Sequence, residues 1–225
     1  MHIHYKAKNS CNCMSRLVIE LDWWRDPKGY RLVQSGQPKA PRVLRNGKGH
    51  DPKDFRPIRP LASTDSLFRI FANMASTPDG VLDFVQRYGP LTDDGWDATK
   101  GDNVNLAISN ADHMRQLLRY VSGAKKTPDL PFRPYQATCS SSIEAQVVWD
   151  PATKGPKWEL RPKTLLDALW LQLGQALTAG AQIRQCEHCG DWFEAGRGSG
   201  RRLDAKFCCD EHRTSFNSLK RSREK

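Results

Sequence analysis

The chain has 225 residues, 38% of them hydrophobic and 27% charged, with 35 Lys+Arg against 25 Asp+Glu for a formal net charge of +10. That length suits one domain or two and buries a core without disulfide staples, and 7 Trp, 8 Phe and 5 Tyr are too many for a disordered chain. No apolar run reaches the length of a membrane span, the opening MHIHYKAKNSC has no signal-like apolar stretch, and the charge balance excludes an acidic tail protein while permitting a polyanion as partner.

Residues 1–16 are polar and punctuated and read as a flexible N-terminus. Leu17 to Trp24 is β-branched and aromatic, Arg25-Asp26-Pro27-Lys28-Gly29 is a turn, and Tyr30 to Val33 resumes an extended run, so 17–34 is expected to form a hairpin. Across 35–60 the prolines and glycines break regular structure, and seven Lys/Arg face two Asp. This stretch reads as a solvated basic loop, or else as a basic strap over a polyanion. Gly47-Lys48-Gly49 lacks the spacing of a phosphate-binding loop.

Helices are expected over 65–122. Leu67, Phe68, Ile70, Phe71 and Met74 recur at helical spacing. Thr77-Pro78-Asp79 supplies an N-cap, a proline at the first helical position and an early acid, and Gly89-Pro90 ends that helix. A longer helix runs from Val104 to Val121, with His113 inside its pattern as a packed or surface residue. A Pro- and Lys-containing linker follows over 123–134. Ile143 to Trp149 alternates, Asp150 to Gly155 turns and Lys157 to Leu160 returns, so a second hairpin spans 143–160. Thr164-x-x-Asp167 then opens a helix over 164–179 like a capping box, with Leu166, Leu169, Trp170, Leu173 and Leu177 as its apolar stripe. The fold class is α+β. One domain over 17–180 holds two hairpins and a helical middle, and 181–225 forms a small treble-clef-like or ribbon-like zinc finger with a basic C-terminal helix.

The seven cysteines are Cys11, Cys13, Cys139, Cys186, Cys189, Cys208 and Cys209. An odd set clustered near one end reads as reduced thiols, some on metal, in a cytoplasmic chain. Cys186 and Cys189 are separated by two residues and followed by Gly190, the form of a knuckle that grips one Zn²⁺. Cys208 and His212 are four apart and project from the same side of a helix. Thiolates and imidazole suit Zn²⁺, so Cys186, Cys189, Cys208 and His212 are the expected ligands. Cys209 points elsewhere on the helix and His188 faces out of the knuckle. Four protein ligands close a tetrahedral site, which is then structural and not catalytic. Trp192 and Phe193 are expected to form the apolar wall of this tip.

Arg197, Arg201 and Arg202 lie in the Gly-rich loop between the two ligand pairs, which reads as a mobile tip or as a phosphate-contacting loop. Arg213, Lys220, Arg221, Arg223 and Lys225 crowd the last helix. His212, Phe216 and Leu219 share the face expected to pack on the tip, while Arg213, Asn217 and Lys220 face outward. The same basic residues complement the helix dipole, so a stabilising role and a nucleic-acid contact stand side by side.

Residues Leu165 to Gln172, Cys186-Glu187-His188-Cys189-Gly190-Asp191-Trp192-Phe193, Arg201-Arg202 and Phe207-Cys208 together resemble bacterial proteins with a C-terminal zinc finger of the CGNR type, or the similar short fingers reading CxxC, a basic loop and FCSxxCR. Phe84 to Pro90 resembles the helical N-terminal region of such proteins. The resemblance covers about a quarter of the chain and implies a structural zinc and a DNA-binding, transcription-regulating role. Here His212-Arg213 stands where the tetrapeptide's Cys and its successors would be, and Cys209 replaces the usual Ser.

Three function classes are weighed. The first is a zinc-containing nucleic-acid-binding protein, a DNA-binding transcription regulator. The alternative is a protein-interaction or scaffold module with a purely structural finger, for which Trp23, Trp24 and Trp192 are candidate anchors with core packing as their plainer role. The third is an enzyme, which the sequence disfavours. The one acidic cluster, Asp93, Asp94, Asp97 and Asp102, reads as a solvated loop, and no nucleophile elbow, HExxH or Rossmann glycine pattern is present.

Overall fold

The computed structural model describes residues 18–19, 21, 23–34, 40–47, 55–61, 66–123, 143–151, 154–196 and 199–223. The expected loose N-terminus over 1–16, most of the 123–134 linker, Cys11, Cys13, Cys139, Arg197 and Lys225 lie outside these residues. Strands β1 (Val18–Ile19), β2 (Trp23–Arg25), β3 (Tyr30–Val33), β4 (Arg42–Arg45) and β5 (Arg56–Ile58) come first. Helices α1 (Leu67–Asn73) and α2 (Pro78–Tyr88), a 3-10 turn (Asp93–Trp96), β6 (Asp102–Asn103) and α3 (Val104–Val121) form the middle. Then follow β7 (Ile143–Asp150), β8 (Gly155–Pro162), α4 (Leu165–Thr178), β9 (Gln182–Gln185), β10 (Trp192–Ala195) and α5 (Asp210–Arg223). The α+β class holds, with several small sheets set around a helical core.

The helices begin and end where local chemistry asks. Thr77 accepts from the Gly80 amide at the start of α2 and Pro78 fills the first position, where its missing N–H costs nothing. Gly89 stops α2 at φ +83°, and a Cβ there would sit 2.5 Å from the Trp24 carbonyl oxygen. Thr164 accepts from the Asp167 amide and donates its hydroxyl proton to the Asp167 carboxylate, so the expected cap forms as a reciprocal pair. Asn103 caps α3 in the same way through the Leu106 amide.

The main core is built from Leu67, Phe68 and Phe71 of α1, Val81, Phe84 and Val85 of α2, Ala107, Ala111, Met114 and Leu118 of α3, and Leu165, Leu169 and Leu173 of α4. The short α1 sits at the centre, against α3, α4 and β10. Seven residues are too few for a helix to persist alone. Arg115 of α3 secures its end, donating through Nε to the Ala72 carbonyl and through Nη2 to the Met74 carbonyl, each at 2.6 Å.

Strand pairing departs from the sequence expectation. The hairpin expected over 17–34 does not close on itself. β1 pairs parallel with β8, β2 pairs with β5, and β3 pairs with β4. The 35–60 stretch is therefore not only loop, since it supplies β4 and β5. Val43 of β4 is buried between β3 and β6, which gives this basic segment its apolar anchor. Pro57 is tolerated because, among the described residues, β5 pairs with β2 alone. The 143–160 hairpin forms as β7–β8.

The acidic loop is also corrected at one position. Asp93, Asp94 and Asp97 stand at the surface or only partly covered, but Asp102 is buried. Its carboxylate accepts from the Leu91 amide at 2.7 Å and from both the amide and hydroxyl of Thr92. Burial pushes its pKa up to about 6, against the pull of those hydrogen bonds. It is a tie between β6 and the segment after α2, not part of a metal-binding acidic cluster.

Of the three tryptophans considered as anchors, Trp23 and Trp192 are core residues and Trp24 alone is exposed, at 41%. Trp23 donates to the Pro90 carbonyl at 3.0 Å and meets Trp96 edge-on.

Candidate metal centre

The finger is assembled on a two-stranded antiparallel sheet, β9–β10, with Trp192 opposite Gln185 and Ala195 opposite Gln182. Side chains along a strand alternate between faces, and the two faces of β10 go to different places. Trp192 and Glu194 turn to the helical core. Asn73 of α1 clasps the Trp192 backbone, accepting from its amide at 2.8 Å and donating to its carbonyl at 3.1 Å, while the Ser66 hydroxyl donates to Glu194. Phe193 and Ala195 turn the other way and form a second, small core with Cys186, bordered by Ala205, Phe207 and Cys208. The expected apolar wall of the tip is thus Phe193, and Trp192 instead bolts the finger to α1.

Between the strands the chain makes a knuckle. The Gly190 amide returns to the Cys186 carbonyl at 2.9 Å, the Cys186 amide bonds the Asp191 carbonyl at 2.9 Å, and Gly190 takes the left-handed φ of +79°. The 204–208 segment runs back alongside, with the Glu187 amide on the Lys206 carbonyl. It delivers Cys208 just before α5, whose first turn carries His212. Knuckle, strand and ligand-bearing helix start form a treble-clef-like order.

The donor atoms of Cys186, Cys189, Cys208 and His212 all lie within 4.8 Å of one another. Cys189 and Cys208 Sγ atoms are 3.8 Å apart, and His212 Nδ1 is 3.9 Å from Cys186 Sγ and 2.9 Å from Cys208 Sγ. Thiolates about 2.3 Å from a shared tetrahedral centre would be about 3.8 Å apart, and an imidazole nitrogen about 3.5 Å from each. The four groups are placed to hold one metal ion, and the set is the one expected from the sequence.

Sulfur is also met by backbone amides. Cys208 N–H points at Cys186 Sγ and Asp191 N–H at Cys189 Sγ, each at 3.5 Å. The thiols titrate unevenly in consequence. Burial raises Cys186, but the amides of Cys189, Cys208 and His188 outweigh it and bring this thiol down to about 6. Burial pushes Cys189 and Cys208 up, and for Cys208 the neighbouring sulfurs push further. A divalent cation at the centre would relieve that competition by turning all three into thiolate ligands.

Cys209 is 3.9 Å from Cys208 Sγ but is not one of the four clustered donors. His188 is exposed, its ring 4.8 Å from that of His212, in keeping with its outward assignment. Phe207 packs on Phe216 of α5 at 5.1 Å between ring centroids. Leu219, expected on the same packed face, is 53% exposed, because the tip ends before α5 does. The sequence signalled the ligands but not the sulfur-facing amides, whose direction depends on the folded knuckle.

Arg201, Arg202 and Arg213 border one groove of about 730 Å³ between the 199–207 loop and the start of α5. Arg201 lies over the Phe193 ring at 5.8 Å. Arg202 pairs with Asp204 at 3.2 Å and Arg213 with Asp210 at 3.1 Å, both on the surface. Lys220 and Arg221 are exposed farther along α5, with Arg223 in its last described turn. Among the described residues no helix is long and apolar enough to cross a membrane.

No family model matches this chain, and neither the curated proteins nor the solved structures contain a match.

Proposed function

We propose that the Cys186, Cys189, Cys208 and His212 cluster holds Zn²⁺ and that this is a zinc-finger nucleic-acid-binding protein, acting as a DNA-binding regulator. The observation that carries the reading is the Cys₃His cluster at the start of a helix that goes on to bear Lys220, Arg221 and Arg223. Three cysteine sulfurs and an imidazole brought within 4.8 Å of one another suit zinc over harder cations. The closed set gives the metal a structural role, in which it orients the 199–207 loop and α5, and so the basic groups on them. The exposed Arg202–Asp204 and Arg213–Asp210 pairs contribute little to stability, so both guanidiniums can exchange their carboxylate for phosphate. The resemblance to CGNR-type fingers implies the same role, and the overall +10 permits a polyanion as partner.

The test joins elemental analysis with a salt series. Purified protein is expected to hold one zinc per chain and to shift random duplex DNA at about 50 mM salt, with affinity falling steeply as salt rises. Arg201→Ala with Arg202→Ala should weaken the shift and flatten the salt slope by about one to two phosphate contacts, with zinc content unchanged. Absence of any shift at low salt overturns the nucleic-acid reading, and a chain that holds no zinc overturns the metal assignment.

A further inference from the structure

One face of the β7–β8 sheet carries Glu144, Gln146 and Val148 of β7, with Glu159 and Arg161 on β8. Glu159 of β8 is only 3% exposed and accepts from Gln146 Nε2, directly opposite in the register, at 3.1 Å and from Arg161 Nε at 2.5 Å. The other face of β7 carries Ile143, Ala145, Val147 and Trp149, with Leu160, Pro156 and Pro162 opposite on β8. Toward the turn this face is open, with Val147 59% and Trp149 67% exposed, while at the other end Pro162 is buried and Ile143 and Leu160 are half-buried.

β7 is also an edge. The order in this sheet is β1-β8-β7, and among the described residues no strand lies outside β7. Its eight residues, Ile-Glu-Ala-Gln-Val-Val-Trp-Asp, contain none of the prolines, lysines or glycine bulges that guard exposed edges against pairing.

We propose that β7 pairs antiparallel with β7 of a second copy of this chain, across a two-fold axis at Gln146, making one continuous six-stranded sheet. The sequence of the strand complements itself in this register. Ile143 faces Trp149 of the second copy and Ala145 faces Val147, so the apolar stripe continues across the axis, while Glu144 faces Val148 on the other side of the sheet. Sliding the axis to Val147 sets Glu144 against Asp150, a like-charge pair that disfavours that register. Pairing satisfies the open row of backbone groups and joins two small apolar patches into one surface.

Sedimentation velocity of the full chain across a wide concentration range is expected to show a monomer–dimer equilibrium. Val147→Lys with Trp149→Ser should weaken the dimer by at least about tenfold, because the cross-strand Ala145–Val147 and Ile143–Trp149 contacts are lost on both sides of the axis. A single monomeric species at every concentration overturns the proposal, and so does a dimer that the double variant leaves intact. Gln146→Cys tests the register independently of that variant's folding. On mild oxidation it should form a cross-linked dimer whose bridge maps to position 146, since opposed Cα atoms lie about 5 Å apart. Glu144→Cys should not, because its two copies would be roughly 13 Å apart along the strands. Equal cross-linking by both variants, or none by Gln146→Cys, overturns the register.

Discussion

The helical core and the finger meet along a single strand, β10, and they are stabilised by different physics. On the core side, Trp192 is buried among the residues of four helices and Asn73 pins its backbone. On the finger side, Phe193, Ala195 and Cys186 make a core of three buried residues. The first has enough apolar area to order itself. The second does not, and four candidate metal ligands stand where more hydrophobic residues would otherwise be required. Alternation along one strand is enough to join a hydrophobic fold to a tip built around four candidate metal ligands.

The largest expected effect separates the two. Cys186→Ser should abolish stoichiometric zinc and melt the tip, removing on the order of 10 kcal/mol of metal-coupled folding energy. Hydrogen exchange should then be fast over 182–212 and still slow in α2, α3 and α4. Cooperative loss of protection everywhere would mean that the finger and core are one unit, and the contrast would fail.

Trp192→Ala acts from the other side. A large buried aromatic is lost from the main core, which costs about 3–5 kcal/mol. Chemical denaturation should show that loss for the whole core, while elemental analysis still finds the ion. Zinc release by this variant at unchanged core stability would place Trp192 with the finger.

The smallest expected effect is in the response to pH, where the two regions should run in opposite directions. Metal binding needs deprotonated thiols and imidazole, so the finger gains as pH rises. Asp102, in the core, does the reverse. Its folded pKa of about 6 lies above the ordinary carboxylate value of about 3.9, so the stability it supplies is full below about pH 4 and is lost as pH climbs through about 6. The stability of the natural chain relative to Asp102→Asn should therefore fall over that window by a few kcal/mol at most, since each tenfold change in proton affinity is worth roughly 1.4 kcal/mol. A flat or rising difference would show that the three hydrogen bonds outweigh the cost of burial.

The ligand set was readable because its spacing is local. Cys186 and Cys189 fix a knuckle, Cys208 and His212 share a helical side, and only the meeting of the two pairs needed the fold. The caps at Thr77 and Thr164 were readable for the same reason, as each bonds an amide three residues on. Strand partners were not. Tyr30 to Val33 looks like the return of a hairpin, but pairs with Arg42–Arg45 from a stretch rich in proline and lysine. Nor did the acidic loop disclose that Asp102 is buried while its neighbours are not.

The sequence by itself determined the helices, their caps, the extended segments and the four candidate ligands, because hydrogen bonds and ligand spacings within about a turn are set by neighbours along the chain. Tertiary structure alone decided which strand pairs with which, that Trp192 belongs to the core and Phe193 to the finger, and that Val147 and Trp149 of β7 stay exposed. A period-two pattern names two faces but not what covers either, and that is settled only when distant elements compete for the same surface.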